Sequence, residues 1–341
     1  MSDHWRTRLV FAVVAALLSV EARAAEPLKL RVGWVEAPAH LLPVILTRPE
    51  LLKHQGVTYA AEALRFRGST PQITALASGE LDIAMLAYSS FGLAILNAGM
   101  DDLRIIADGH RDGVPGYWSG PFYVRASSPV RKVEDLKGRV LATNGIGGAT
   151  YFALTKMMRD HGMEEKRDYQ VVEVQFPNMM ATILDQKVDL GPLPQPYAGI
   201  AERDGKLRPL FRTHDAMGET QMTLMATRTP FIAQHRAALV DFFEDFQTGI
   251  RWLTAPAHRA AAVKILAEFT HQSEDGLAAW LFTKEDNFHD PDARPNLAAL
   301  QSNSDALTRL GFLKAAVDVT AHADLSLIDE AARRHPRSEE K

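Results

Sequence analysis

An α/β protein of two doubly wound lobes is the architecture this sequence predicts, and three observations predict it. From Leu28 onward, strand-like and helix-like stretches alternate, the pattern of βαβ units around mainly parallel sheets. One such unit recurs. Leu76 lies six residues before Asp82 with Leu81 just ahead of the aspartate, and Ile183 lies six before Asp189 with Val188 just ahead. Both copies follow a strand ending in phenylalanine and a turn, Phe66 with Gly68-Ser69-Thr70-Pro71 and Phe176 with Pro177-Asn178. Asp82 and Asp189 are 107 positions apart, about one lobe. Length is the third observation: once a leader of 24 residues is set aside, 317 of the 341 remain, too many for one ordinary core and suited to two domains.

The leader is read from Arg6 and Arg8, which precede an apolar run from Leu9 to Leu18 that Ser19 and Val20 extend, and from Ala22-Arg23-Ala24, small residues where a signal peptidase reads. The run is short of the ~20 residues needed to span a bilayer, so a cleaved signal peptide over 1–24 and export to the periplasm are expected. The chain has no cysteine, which excludes a lipid-anchored product, a disulfide, a thiolate nucleophile and a Cys-ligated metal. Formal net charge is −4 for the whole sequence and −5 without the leader, with no basic stripe, which argues against nucleic acid.

The elements follow in order. Leu28 to Val35 alternates apolar and polar residues as a strand, Glu36 to His40 is a loop, and a helix is expected from Leu41 to His54. Glu62 to Arg67 reads as a second strand, Gln72 to Ser78 as a helix stopped by Gly79, and Leu81 to Ala87 as a third strand. Pro121 to Arg125 and Arg139 to Thr143 are further strands, the second leading into Asn144-Gly145-Ile146-Gly147-Gly148-Ala149-Thr150. A helix then puts Leu154, Met157, Met158 and His161 on one face. Thr223 to Thr227 is another strand, and Pro230 opens a helical tail whose apolar run, Ala237 to Leu253, reads as core. Asn287 to Pro295 is a polar loop, and the charged stretch after Ala331 is expected to fray.

Candidate binding residues come from loops at strand ends. The segment Asn144 to Thr150 matches neither the dinucleotide fingerprint nor the P-loop. It does offer main-chain N–H groups at the positive end of a helix with the Thr150 hydroxyl beside them, and Gly68-Ser69-Thr70 offers the same in the other lobe; a plain loop-and-cap role explains each as well. His40, Tyr88-Ser89 and Gln195-Pro196-Tyr197 lie beyond the carboxyl ends of strands, where open α/β sheets bind ligands. Tyr117 and Trp118 are large rings in a glycine-rich loop. Twelve scattered histidines without His-Glu-x-x-His, and the absence of a Gly-x-Ser-x-Gly elbow, leave no catalytic or metal set; Asp82 and Asp189 read as capping or turn residues.

Val32-Gly33-Trp34, the run from Ala75 to Ala84, Val133-Glu134-Asp135-Leu136-Lys137-Gly138 and Gln195-Pro196-Tyr197 together resemble the periplasmic binding proteins of nitrate/sulfonate/taurine ABC transporters, of NMT1/THI5-like fold. The resemblance implies a type II periplasmic-binding-protein fold, with one lobe from 25–120 and 223–341 and the other from 121–222. Crossover strands at Pro121 to Arg125 and Thr223 to Thr227 would join them, and the lobes would close on a ligand by hinge motion. It carries ligand contact onto Trp34, His40, Gly68, Ser69, Thr70, Tyr88, Ser89, Gly147, Gly148, Ala149, Thr150 and Gln195 to Tyr197, to which the loop reading above adds Trp118 and Asn144. The function implied is delivery of a small organic anion, a sulfonate or carboxylate, to an inner-membrane permease, by a monomer without cofactor, metal or catalysis. Gln195 stands where the family has glutamate, and Gln186-Lys187 where it has glycine, which leaves the ligand's charge open. The alternatives are a ligand-sensing module for a membrane receptor and a thiamine-pyrimidine-synthase-like enzyme, whose cysteine-rich motif this sequence lacks.

Overall fold

Two mixed sheets with the same strand order organise the chain, whose computed structural model describes residues 26–334. The expected leader at residues 1–24 lies outside the described residues. The first sheet takes β1 (Leu28–Trp34), β2 (Tyr59–Arg65), β3 (Ala84–Ala87), β4 (Leu103–Asp112) and β10 (Thr220–Arg228). β1 and β2 pair in parallel, the Val32–Ile83 bridge joins β1 to the start of β3, and β10 runs antiparallel between β3 and β4. The second sheet repeats this with β6 (Val140–Thr143), β7 (Gln170–Glu173), β8 (Gly191–Pro192) and β9 (Leu207–Arg212). β5 (Pro121–Arg125) is its antiparallel intruder between β8 and β9. Each sheet therefore reads second, first, third, intruder, fourth, with the intruder supplied from across the molecule. The strands expected to cross between lobes are themselves sheet members, and the crossings are the segments just ahead of them, residues 113–120 and 213–219.

The repeated aspartate has a structural role that its expected capping function misses. Asp82 accepts from Arg31 N at 2.8 Å and from its guanidinium at 2.9 and 2.6 Å, while Asp82 N donates to Arg31 O at 3.0 Å. Asp189 does the same job, accepting from Val140 N at 3.2 Å and Arg139 Nη1 at 3.4 Å and donating its own N–H to Val140 O at 2.7 Å. In each lobe a carboxylate at the head of the third strand pins the first strand, supplying the donors and acceptors that an irregular approach to the sheet would otherwise leave unpaired.

Helices cover the sheets: α1 (Leu42–Ile45), α2 (Ser69–Ser78), α3 (Tyr88–Ala98), α4 (Ala149–Asp160), α5 (Phe176–Leu184), α6 (Tyr197–Asp204), α7 (Thr213–Met217), α8 (Thr229–Thr254), α9 (Arg259–Thr270), α10 (Glu274–Ala278), α11 (Leu297–Arg309) and α12 (Ser326–Arg334). The helix expected over Leu41–His54 stops after Ile45, because Pro49 has no N–H for the Ile45 carbonyl and its ring clashes there. Pro177-Asn178, expected as a turn, is the first turn of α5, where proline's missing N–H costs nothing. The stretch expected to fray from Ala331 stays helical to Arg334, which ion-pairs with Asp241 and Glu244. On α8, Phe242, Phe243 and Phe246 enter the first sheet's core, and Asp245 accepts from Lys53 N, His54 N and the Tyr59 hydroxyl at 2.7–2.9 Å. No helix among the described residues is long and apolar enough to cross a membrane.

The two pins differ in burial, Asp82 being 9% exposed and the Asp189 side chain 25%. We expect Asp82→Ala to cost about 2–3 kcal/mol in urea unfolding and Asp189→Ala roughly half as much, since the more buried charge-assisted bonds leave more unpaired donors behind. Equal losses would show that burial does not govern the pair.

Candidate functional site

A cavity of about 450 Å³ lies between the two sheets, at the carboxyl ends of strands from both. From the first sheet come Val35, Glu36 and His40 after β1, Arg67 through Pro71 after β2, and Ala87 and Ser90 after β3. Facing them are Asn144 to Thr150 after β6 (Gly147 excepted), Glu173, Gln175 and Phe176 after β7, and Pro192 to Gln195 around β8. The floor is made by the crossings, with Asp112, Trp118, Gly120 and Thr213, and by His110, Thr223 and Asn287.

Of the residues singled out from sequence, His40, Gly68, Ser69, Thr70, Trp118, Asn144, Gly148, Ala149, Thr150 and Gln195 line this cavity. Five others do not. Trp34 packs against Phe269 under the Arg65 guanidinium, because the chain turns toward the cleft only from Val35. Tyr88 and Ser89 form no loop; they open α3 and reach across to the other lobe, Tyr88 Oη donating to Ala149 O at 3.3 Å and Ser89 Oγ to Gly147 O at 3.2 Å. Gly147, with φ +81°, serves as that acceptor. Tyr197 begins α6 off the cavity, its hydroxyl pKa raised by burial and by nearby Glu36. Tyr117 packs edge-on to Phe288 with the Lys284 ammonium 3.5 Å from its ring centre.

Two helix starts face the cavity, and neither has a side-chain cap: α2 begins after Gly68 and α4 after Gly148. Their first N–H groups are therefore donors awaiting an acceptor, at the positive ends of two helix dipoles. Two of the hydroxyls beside them are engaged, Ser69 Oγ accepting from Ala87 N at 3.0 Å and Thr150 Oγ1 donating to Asn144 Oδ1 at 2.6 Å.

Charge in the cleft is unevenly partnered. Asp112 accepts from Ser119 Oγ at 2.5 Å and Gly120 N at 2.7 Å, and burial pushes its pKa up to about 6. Glu173 accepts from Ile146 N at 2.6 Å, and Glu36, with its pKa raised by burial, meets Arg65 at 3.3 Å. Arg67 has no acidic partner among the described residues. Nothing in the sequence separated Arg67 from an ordinary solvated charge, and Asp112, His110 and Asn287 reach the cavity only through tertiary folding.

His40, His110 and His289 form a row, with ring centres 5.8 and 6.1 Å apart. Burial lowers His40 to about 3 and His289 to about 4, and puts His110 well below its ordinary value, so all three rings are neutral near pH 7.

Residues 119–260 match the family model described as NMT1/THI5 like. Among solved structures, the alkanesulfonate-binding protein SsuA from Xanthomonas axonopodis pv. citri, bound to MOPS, superposes with a TM-score of 0.70 at 19% identity over 89% of this chain and 100% of that one. The nitrate-binding protein NrtA from Synechocystis PCC 6803 gives 0.72 at 15% identity, covering 91% and 90%. The chain shares the fold of these two proteins. That fold is not confined to binding proteins: the desulfurization enzyme DSZB matches with a TM-score of 0.64 at 16% identity over 90% and 99% of the two chains. No curated protein matches by sequence. As in any open α/β sheet, the cavity of this chain sits where strand ends and helix starts converge.

In the protein without ligand, we expect long-range proton–nitrogen NMR spectra at pH 5.5 to show His40 and His289 as neutral imidazoles. A depressed pKa keeps each ring uncharged until the pH falls toward the lowered value, whereas an exposed histidine would by then be largely protonated. An imidazolium signal from either ring at that pH would contradict the burial argument.

Proposed function

We propose that this chain is an exported solute-binding protein that captures a small organic anion between its lobes and delivers it to an ABC importer. The observation that carries the reading is the pairing of two uncapped helix starts with an unpartnered Arg67 in one cavity whose carboxylates are already engaged. A single negative group would satisfy the helix N–H donors and the guanidinium together. The cavity, at about 450 Å³, lies in the range that holds drug-sized ligands, so a bare inorganic oxyanion would leave most of it unfilled. MOPS, bound by the fold relative from Xanthomonas axonopodis pv. citri, is such an organic sulfonate. We divide the lobes at 25–120 with 223–341, and at 121–222, save that Thr220 to Met222, as part of β10, go with the first lobe. Tyr88, Ser89 and Gly147 then fasten one lobe to the other, and the expected contacts that line the cavity, His40, Gly68 to Thr70, Trp118, Asn144, Gly148 to Thr150 and Gln195, face the ligand, while Trp34 and Tyr197 do not.

Binding is favoured over catalysis because the Ser69 and Thr150 hydroxyls at the helix starts are tied to protein partners and the sequence has no thiol. Export rests on the leader at 1–24, and an inner-membrane permease partner follows from that reading.

Thermal denaturation against a panel of sulfonates, carboxylates and nitrate tests this: at least one organic anion should raise Tm, since a ligand that binds only the folded state must stabilise it. Indifference to the whole panel would sink the anion class. Arg67→Ala should weaken the best ligand roughly 10- to 100-fold, the value of a charge-assisted hydrogen bond, without lowering the Tm of the unliganded protein. An unchanged Kd would remove Arg67 from the site.

A further inference from the structure

The chemistry of the cleft histidines goes beyond a single anion site. Nδ1 of His40 accepts the main-chain N–H of Val35 at 3.0 Å. A main-chain N–H can only donate, so that nitrogen carries a lone pair and the proton of the neutral ring resides on Nε2. No hydrogen bond joins Nε2 to another protein atom among the described residues, and His40 lines the cavity. The fold has therefore fixed an N–H donor on a cavity-lining ring and left it without a protein partner among the described residues.

A shared metal does not fit this row. Metal binding through His40 Nε2 would need a lone pair where the tautomer places a proton, and His110 Nδ1 is engaged with the Thr223 hydroxyl at 2.8 Å. A second anionic group at His40 is equally disfavoured. Glu36 and Asp112 share the cavity, and Arg67 is its one arginine or lysine among the described lining residues. What remains is an uncharged acceptor.

We infer that the ligand carries, besides its anionic group, an uncharged hydrogen-bond acceptor, a carbonyl oxygen or ring nitrogen, that meets His40 Nε2–H, and that His40 thereby sets specificity. The inference rests on the anion reading of the same cavity. A molecule lacking the acceptor would leave a desolvated donor unpaired, and a site built to hydrogen-bond one group discriminates against the analogue without it.

Isothermal titration of the purified protein with acids matched in skeleton tests this: 4-oxopentanoate against pentanoate, and 3-pyridylacetate against phenylacetate. At least one acceptor-bearing acid should bind roughly five- to tenfold more tightly than its bare partner, the value of one net hydrogen bond. His40→Leu should bring that ratio close to one. His40→Gln, whose amide can accept from Val35 N and still donate into the cavity, should retain it. The ratio is read within each variant, so a general loss of affinity does not mimic the effect. Equal binding of both partners in every pair, or a preference that survives His40→Leu, overturns the inference and leaves the anion reading intact. If none of the four acids binds while another organic anion stabilises the protein, the acceptor inference falls alone; if no organic anion binds at all, both fall.

Discussion

The buried carboxylate of Asp112 holds the place where the chain passes from one sheet to the other. It ends β4, accepts from Ser119 and Gly120 on the outgoing crossing, and lines the cavity floor. Ser119 Oγ in turn accepts from His214 N, while Thr213 N and Oγ1 both donate to Gly120 O, so the returning crossing is tied to the outgoing one. Arg212 Nη1 adds a bond to Ser119 O at 2.8 Å. Without this knot the two intruding strands would have no fixed point of departure, and the facing helix starts would have no fixed separation. Sheet order, cleft width and the convergence of strand ends all inherit their geometry from these few contacts.

The cleft that results is polar but electrically quiet. Its carboxylates are bonded within the protein, and burial keeps its imidazoles uncharged. This is what a low-dielectric pocket permits, because an unpaired charge there is costly whereas a neutral donor waits at modest expense. The uncapped helix ends and one arginine supply the net positive field. Selectivity by neutral groups and attraction by a localised field are thus divided among different residues.

Much of the fold was legible in the sequence because its causes are local. Alternation of strand and helix, glycine at helix ends and the recurring aspartate all survive into the structure, and the recurrence marks a real equivalence between lobes. Asp82 and Asp189 were visible as a pattern, although their partners Arg31 and Arg139 lie about 50 residues away and gave no local signal. The two glycine-bearing helix starts were also readable, since an uncapped start beside glycine is a property of a few consecutive residues. Trp34 misled because strand alternation does not say where a chain turns toward a cleft. Tyr88 and Ser89 misled because α3 follows β3 with no loop between them. Asn287 reaches the cavity from the far end of the chain, which no local pattern announces.

The fastening between lobes has an asymmetry with an evolutionary consequence. On one side it uses the side chains of Tyr88, Ser89 and Ser90; on the other, only the main-chain carbonyls of Gly147 and Ala149. Carbonyls are present whatever residue occupies a position. The side chains that ring the second half of the cleft can therefore change while the contacts that join the two sheets go on finding the same two oxygens.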